Sequence, residues 1–554
     1  FFLPRQRTLW WCFENRNMVF EEIVDKLWVG LQLENLPYGL ALLVVVYFVK
    51  FTFERVYDEI RFRKITRVPS PVPVFGHLFS ILTSGAVWDL FADWCLKYDL
   101  TLRFPMWNET VILTADMDFV KRMMVHEFNS YGKHMPTYAP FQPLLGNGLV
   151  TSHGALWKKQ RKIIGIGFVG DVLDIALECG YAAVERLCDT IEQNRKTNTP
   201  IELDEAFRHL AIQVIGQAIL SMDPAESDKI FPDLYLPIVE ESNRQTWWGF
   251  REYLPLPGVL KARSCLKELN KYVIEIIQKR AHERSLNNYE PTKGDILDRI
   301  LDGCELSHSN PLSMEQTLQL LDEVKTFLLA GHETTASTLI WSIFELLRHP
   351  EALARVRKEA AELFAKMDSK NSNEFDIDKH LFKKGLPFTE AVIRESLRLY
   401  SVVPMVTRTP VIDDEFKGQK IPKGTWISIM IRAIHLRPDL WENPTEWNPE
   451  RFITFDSIAM KNFMAFTQGP RRCMGQFFSI TESKIVLARL LHRLDLTIVG
   501  KGGDVSDLLV MGKGREKERE KEKERVTNVE RHPYVVPVCP REPVMVMGEK
   551  RNKI

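Results

Sequence analysis

Apolar and polar positions divide the chain into stretches of different period. From Leu36 to Phe53 the only charge is Lys50. As a helix this run would rise about 27 Å, enough to span a bilayer with Lys50 reaching back to the interface; a buried core helix is the competing reading. Val68 to Gly76 carries Pro69, Pro71 and Pro73, a stiffened linker that cannot be helical. Residues 101–107 and 110–114 alternate around Asn108-Glu109 and predict a hairpin. Helical spacing then dominates the middle of the chain. Its clearest helix runs from about Met314 to Arg348, with Ser313 and Gln316 as a capping box and Pro350 as its stop. Such a helix is roughly 50 Å long and would cross the molecule. A second amphipathic segment spans Gln476 to Leu491.

Gly512 to Arg525 breaks this character with strictly alternating charge signs. Like charges then fall at i,i+4, which disfavours a helix, and a mixed-sign polar tract buries nothing. A solvated loop insertion is expected, with docking of a partner as the lesser reading. Apolar character returns at 534–538, an edge strand broken by Pro537.

The 554 residues have zero formal net charge, so composition points to no nucleic-acid partner. Eight scattered cysteines form no Cys-x-x-Cys pair, which argues for free thiols in a reducing compartment and against a zinc or disulfide framework. Acids outnumber Lys26 between Met18 and Leu36, whereas Arg55, Arg61, Arg63, Lys64 and Arg67 follow the apolar run. By the positive-inside rule the run is an uncleaved signal anchor with the body of the protein on the cytoplasmic side. The expected division is an extension at 1–35, an anchor at 36–53, a basic and Pro-rich linker at 54–76, and one catalytic domain at 77–554.

The densest chemistry lies in Phe466-Thr467-Gln468-Gly469-Pro470-Arg471-Arg472-Cys473-Met474-Gly475. Gly469 and Gly475 let the backbone turn tightly and approach a flat group closely. Arg471 places a fixed cation two residues from the thiol, and Phe466 can keep the sulfur dry. A lone buried cysteine is the plain alternative. The spacing resembles the haem-binding loop of the cytochrome P-450 family, whose axial ligand is a cysteine thiolate. The resemblance implies a mainly α fold with small β-sheets and a long helix over the haem. It also implies haem b with Cys473 on the iron and Arg471 on a propionate.

Further landmarks follow in the family's order. Ala330-Gly331-His332-Glu333-Thr334 resembles the oxygen-activation motif: two small residues where the helix passes the ring, then an acid and a hydroxyl to relay protons. Close helix packing is the other reading of Ala330 and Gly331. A local opening of the helix ladder is expected there, and His332 reads as structural. Glu395, Arg398 and Arg451 match the Glu-x-x-Arg and Pro-Glu-Arg-Phe landmarks, which implies a buried network bracing the cysteine loop. Trp157 and Arg161, at i,i+4, and Arg408 match propionate contacts. His153 and Ser479 depart from the usual residues, and Ala330 stands where some members carry a glutamate esterified to haem, so no covalent link is expected.

The implied activity is an anchored monooxygenase in the endoplasmic reticulum membrane, or that of a plastid or another organelle. It takes O2, electrons from an NADPH-dependent reductase or other separate donor, and a lipophilic substrate such as a fatty acid, sterol, terpenoid or carotenoid. The apolar residues Phe141, Leu144, Leu145, Phe327 and Leu328, with Val402, Val403 and Met405, are candidates for its pocket. Trp247, Trp248 and Phe250 read either as core or as a membrane contact near a substrate entrance. A hydroperoxide isomerase or dehydratase is the alternative activity, disfavoured by Glu333-Thr334. A non-catalytic membrane haem-binding protein is the third.

Overall fold

The computed structural model describes residues 36–70, 76–84, 86–106, 109–168, 172–285, 294–302, 311–368, 382, 385–454, 458–499, 539–540 and 544–551. The 1–35 extension, the 512–525 insertion and the 534–538 strand lie outside the described residues. The main helices, in chain order, are α1 (Leu36–Arg61), α2 (Gly154–Gly167), α3 (Val172–Lys196), α4 (Leu203–Leu220), α5 (Met314–Arg348), α6 (Pro387–Tyr400) and α7 (Gln476–Arg493). The strands are β1 (Thr66–Arg67), β2 (Thr101–Met106), β3 (Glu109–Thr114), β4 (Tyr131–Gly132), β5 (Ile201–Glu202), β6 (Met405–Pro410), β7 (Asp414–Phe416), β8 (Gln419–Ile421), β9 (Trp426–Met430), β10 (Leu494–Ile498) and β11 (Met545–Lys550).

The expected hairpin forms, with Thr101 opposite Thr114 and Met106 opposite Glu109. It sits in a six-stranded sheet of order β1-β2-β3-β9-β6-β4. In β3, Val111, Ile112 and Leu113 are all buried, because β9 runs parallel to it and both faces are covered; a strand buried on two sides reads as a continuous apolar run. β6 pairs antiparallel with β9, which brings Arg408 to the edge of the helical body.

That body is organised on α5, which begins and ends where the sequence predicts. The Ser313 hydroxyl accepts the Gln316 N–H at 3.2 Å, and the Gln316 side chain accepts the Ser313 N–H at 2.9 Å. From Thr317 onward most of its side chains are buried, as befits a helix enclosed by others. Trp341 stacks on Tyr400 of α6 at 3.7 Å between centroids. The expected opening of the helix ladder is not present. α5 runs unbroken, and the Thr334 hydroxyl donates to the Ala330 carbonyl at 2.6 Å, sharing that acceptor instead of displacing the backbone N–H.

The helix α1 covers the 36–53 run and continues through charged residues to Arg61. Its Leu42, Val45, Phe48, Val49 and Phe53 are exposed. Among the described residues no helix is long and apolar enough to cross a membrane.

Glu395 and Arg398 are wholly buried on α6 and meet in two bonds, of 2.7 and 2.8 Å. Arg451 approaches the same carboxylate at 3.4 Å, and the Asn448 N–H donates to it at 2.8 Å. Arg398 also donates to the carbonyls of His435, Pro444 and Glu446. Glu395→Ala or Arg398→Ala leaves a buried charge without its partner, at a cost of about 3–5 kcal/mol. Either substitution should sharply lower the yield of soluble protein loaded with haem. Wild-type yield from either variant would show that the pair is dispensable.

Candidate haem site

The loop that carries Cys473 is shaped by backbone geometry before any side chain acts. Thr467 and Gly469 have φ of 59° and 75°, and a Cβ at Gly469 would lie 1.9 Å from the Met124 carbonyl oxygen. Glycine is therefore required at 469. Gly475 is different. It caps α7 with φ of −80°, and no protein atom lies within 4 Å of its Cβ position. Gly475 lies in the turn that leads into α7, without a left-handed φ, and its N–H bonds to the Cys473 sulfur. The Cys473 N–H donates to the Phe466 carbonyl at 3.0 Å, closing the loop on half-buried Phe466. Protein packed around the sulfur pushes the thiol up, opposed by the Gly475 N–H and by Arg161 and Arg472, although the residue as a whole keeps exposed surface. Among the described cysteines Cys473 alone is exposed.

The buried network of α6 reaches this loop. His435 Nε2 accepts the Met464 N–H at 2.9 Å, so its proton sits on Nδ1, 3.1 Å from the Arg398 carbonyl. Burial and the Arg398 charge push this imidazole down to about 3, which keeps it neutral. A chain of contacts thus runs from Arg398 through His435 to Met464, two residues ahead of Phe466.

Around the loop, cations crowd together. The Arg471 guanidinium lies 4.2 Å from the Trp157 ring centroid and donates to the Ser152 carbonyl at 3.3 Å, while its Nε is buried without a hydrogen-bond partner. Burial, with Arg408 and Arg161 nearby, pushes Arg471 down to about 10. Arg408, buried, donates to the Thr407 carbonyl at 2.7 Å and is likewise lowered by burial. Arg161 donates to the Arg472 carbonyl at 2.8 Å. Lys133 is held well below its ordinary value by burial and by Arg471 and Arg408; His153 is lowered by burial and by Arg471 and Lys133. Like charges at such proximity are costly unless an anion sits among them. A flat group bearing two carboxylates beside an accessible thiol fits this arrangement. Sequence reasoning found Trp157, Arg161, Arg408 and Arg471 but missed Lys133, which carries no motif and reaches the cluster only through the fold.

Facing them is α5. Ala330 is exposed and Thr334 half-exposed at i,i+4, so both lie on one helix face. Gly331 points elsewhere: a Cβ on it would meet Ile215 of α4 at 2.7 Å. Helix packing thus accounts for Gly331, and the expectation that it clears space beside the ring is corrected. Glu333 is buried, and Arg208 of α4 donates to its two oxygens at 3.0 and 2.9 Å. Burial raises the Glu333 carboxyl and Arg208 opposes that. Burial disfavours the Arg208 charge, but Glu333 and Asp204 outweigh it and hold the guanidinium above its ordinary value. The structure therefore joins Glu333 to Arg208, a partner no motif announced, and turns Thr334 to the Ala330 carbonyl. His332 is buried and neutral, its imidazole pushed down to about 3 by burial and by Arg208, in keeping with a structural role.

An accessible thiol with cations gathered about its loop, on a mainly helical fold with one long central helix, has the features of a haem-thiolate protein. The sequence profile of cytochrome P450 matches residues 67–510, and the chain belongs to the cytochrome P-450 family. It is 27% identical over 419 residues to a cytokinin hydroxylase of Arabidopsis thaliana, covering 74% of this chain and 78% of that one. It is 30% identical over 391 residues to cytochrome P-450 4c21 of Blattella germanica, covering 66% and 74%. The fold matches a retinoic acid-bound cyanobacterial CYP120A1 with a TM-score of 0.67 at 22% identity, over 88% of this chain and 99% of that one. The protein is accordingly an oxidoreductase of the monooxygenase class, and its cofactor is haem b bound through a cysteine thiolate.

Gly469→Ala should cost on the order of 1–3 kcal/mol from steric overlap alone, read as a lowered thermal midpoint and reduced haem content. Gly475→Ala should leave the thermal midpoint near wild type. An equal loss in both variants would refute this account of the loop.

Proposed function

We propose that Cys473 is the thiolate ligand and that Lys133, Trp157, Arg161, Arg408 and Arg471 hold the haem carboxylates. The observation that carries this is the cationic cluster with the orphaned Arg471 Nε, gathered beside the exposed sulfur. When bound, haem supplies activation of dioxygen for the reaction RH + O2 + 2 e⁻ + 2 H⁺ → ROH + H2O. The chain's own residues orient and protonate. The Gly475 N–H steadies negative charge on the sulfur. Thr334, on the exposed face of α5, holds a hydroxyl where protons are needed. Glu333, two-pronged on Arg208, is the buried acid that replenishes it once that pair loosens. Glu395, Arg398 and Arg451 act on none of the reacting atoms; they fix the loop.

The substrate is lipophilic. Leu144, Leu145, Phe327, Leu328 and Val402 are buried apolar groups from three segments, and Phe168 packs edge-on against Phe327 at 5.5 Å. Electrons come from a separate donor. The exposed apolar side chains of α1 support the reading of 36–53 as a single membrane anchor. Trp248 and Phe250 are exposed, as is Tyr253 nearby; the core reading falls for Trp248 and Phe250, and contact with the same membrane replaces it. Resistance of the full chain to alkaline extraction, lost on deleting 36–53, tests the anchor.

Cys473→Ser should abolish the red-shifted Soret band of the reduced carbonyl complex, and retention of that band would sink the ligand assignment. Thr334→Ala should keep haem but release more peroxide per NADPH consumed, and unchanged coupling would reduce the threonine to packing. Arg208→Ala removes the charge that lowers Glu333, so the pH profile of coupling should move to higher pH, with Arg208→Lys close to wild type. An unmoved profile would separate Arg208 from proton delivery.

A further inference from the structure

The loop 146–153 joins the short helix Gln142–Leu145 to α2 and lies directly on α5. A Cβ at Gly146, whose φ is +51°, would fall 2.1 Å from the Asp322 carboxylate, and one at Gly148 would fall 2.1 Å from the Thr326 hydroxyl. Side chains of α5 hold the loop at several points. The Asn147 N–H donates to Asp322 at 2.8 Å, and Gln319 donates to the Asn147 carbonyl at 3.3 Å. The Leu149 N–H donates to Glu323 at 2.9 Å, whose other oxygen accepts from Gln319 at 2.9 Å. From the opposite side Lys133 donates to the carbonyls of Leu149 and Val150. At its far end the loop offers the Ser152 carbonyl to Arg471.

Glu323 is the buried member of this set, at 2% exposure, and nothing in the mechanism uses it. We propose that Glu323 is a positioning residue that latches the 146–153 loop to α5, and that through Ser152 the latch sets where Arg471 stands. Opening the loop would expose the pocket beside Leu144 and Leu145. The attachment itself stands on the contacts above; only its effect on haem retention rests on the reading of the cluster as a haem cradle.

The latch carries a pH dependence with a definite sign. Burial pushes the Glu323 carboxyl up to about 7; the Leu149 N–H and Gln319 oppose that, Asp322 adds to it, and Lys133 pulls it down. Lys325 pairs with Asp322 at 3.4 Å, while Lys133 in turn feels Arg408 and Arg471, and His153 feels Lys133. Opening returns the carboxyl to water and to its ordinary value near 4.3, so opening releases a proton. The open fraction therefore rises with pH between these two values and levels off above about 7.

Hydrogen exchange of the 146–152 amides, measured on the full haem-loaded chain and corrected for intrinsic rates, tests this. In the wild type, exchange should rise by up to about tenfold per pH unit between roughly pH 5 and 7. Glu323→Gln should flatten that rise. Glu323→Asp, one methylene shorter, should speed exchange at each pH and hasten transfer of haem to a scavenging apoprotein. A flat wild-type profile, or a Glu323→Gln profile that keeps the wild-type slope, would overturn the latch. If Glu323→Gln does not load haem, the wild-type slope and Glu323→Asp decide. Should the wild type itself take up no haem, the cradle reading fails, while exchange in the same chain still judges the latch.

Discussion

The structure depends on one buried ion pair. Glu395 and Arg398 lie wholly out of solvent, where a charge without compensation is untenable. Arg398 resolves this by using its five N–H donors in five bonds, two to Glu395 and three to main-chain carbonyls. Those carbonyls belong to residues 435, 444 and 446, far from α6 in sequence. Two stretches of chain, at 435 and at 444–446, are thereby tied to one turn of helix, and His435 in turn accepts the Met464 N–H just ahead of the cysteine loop.

Charge is arranged by two opposite rules in this molecule. Away from the sulfur, several buried charged groups are matched: Glu333 with Arg208, Asp295 with Arg280, and Glu395 with Arg398. Beside the sulfur they are gathered with the same sign. The first rule gives a rigid scaffold. The second concentrates positive potential where an anionic group is to be held.

Much of this was legible in the residues. Met314–Arg348 could be read because capping box, apolar period and terminal proline agree. The Cys473 loop was legible because a backbone turn with a close approach leaves glycine at a fixed spacing. What escaped was whatever depends on elements meeting in space. Lys133 follows a two-residue strand, and Arg208 sits within a helix; neither has a local signature. Arg208 takes Glu333 from a segment more than a hundred residues away, and only the fold brings Lys133 against Arg408 and Arg471. Gly331 shows the reverse error. A motif position suggested room for a ligand, where the packing of α4 supplies the reason.

That packing has an evolutionary consequence. Ile215 fills the space a side chain at 331 would take, so these two positions, one on each helix, share a single volume. A lineage of this protein that enlarges residue 331 must shrink residue 215 in the same step or lose the contact of α4 with α5. Because Arg208 and Glu333 bridge the same two helices, the spacing that serves packing also fixes the reach of the buried acid. Drift at an apolar position with no chemistry of its own would thus be felt at the Arg208–Glu333 pair.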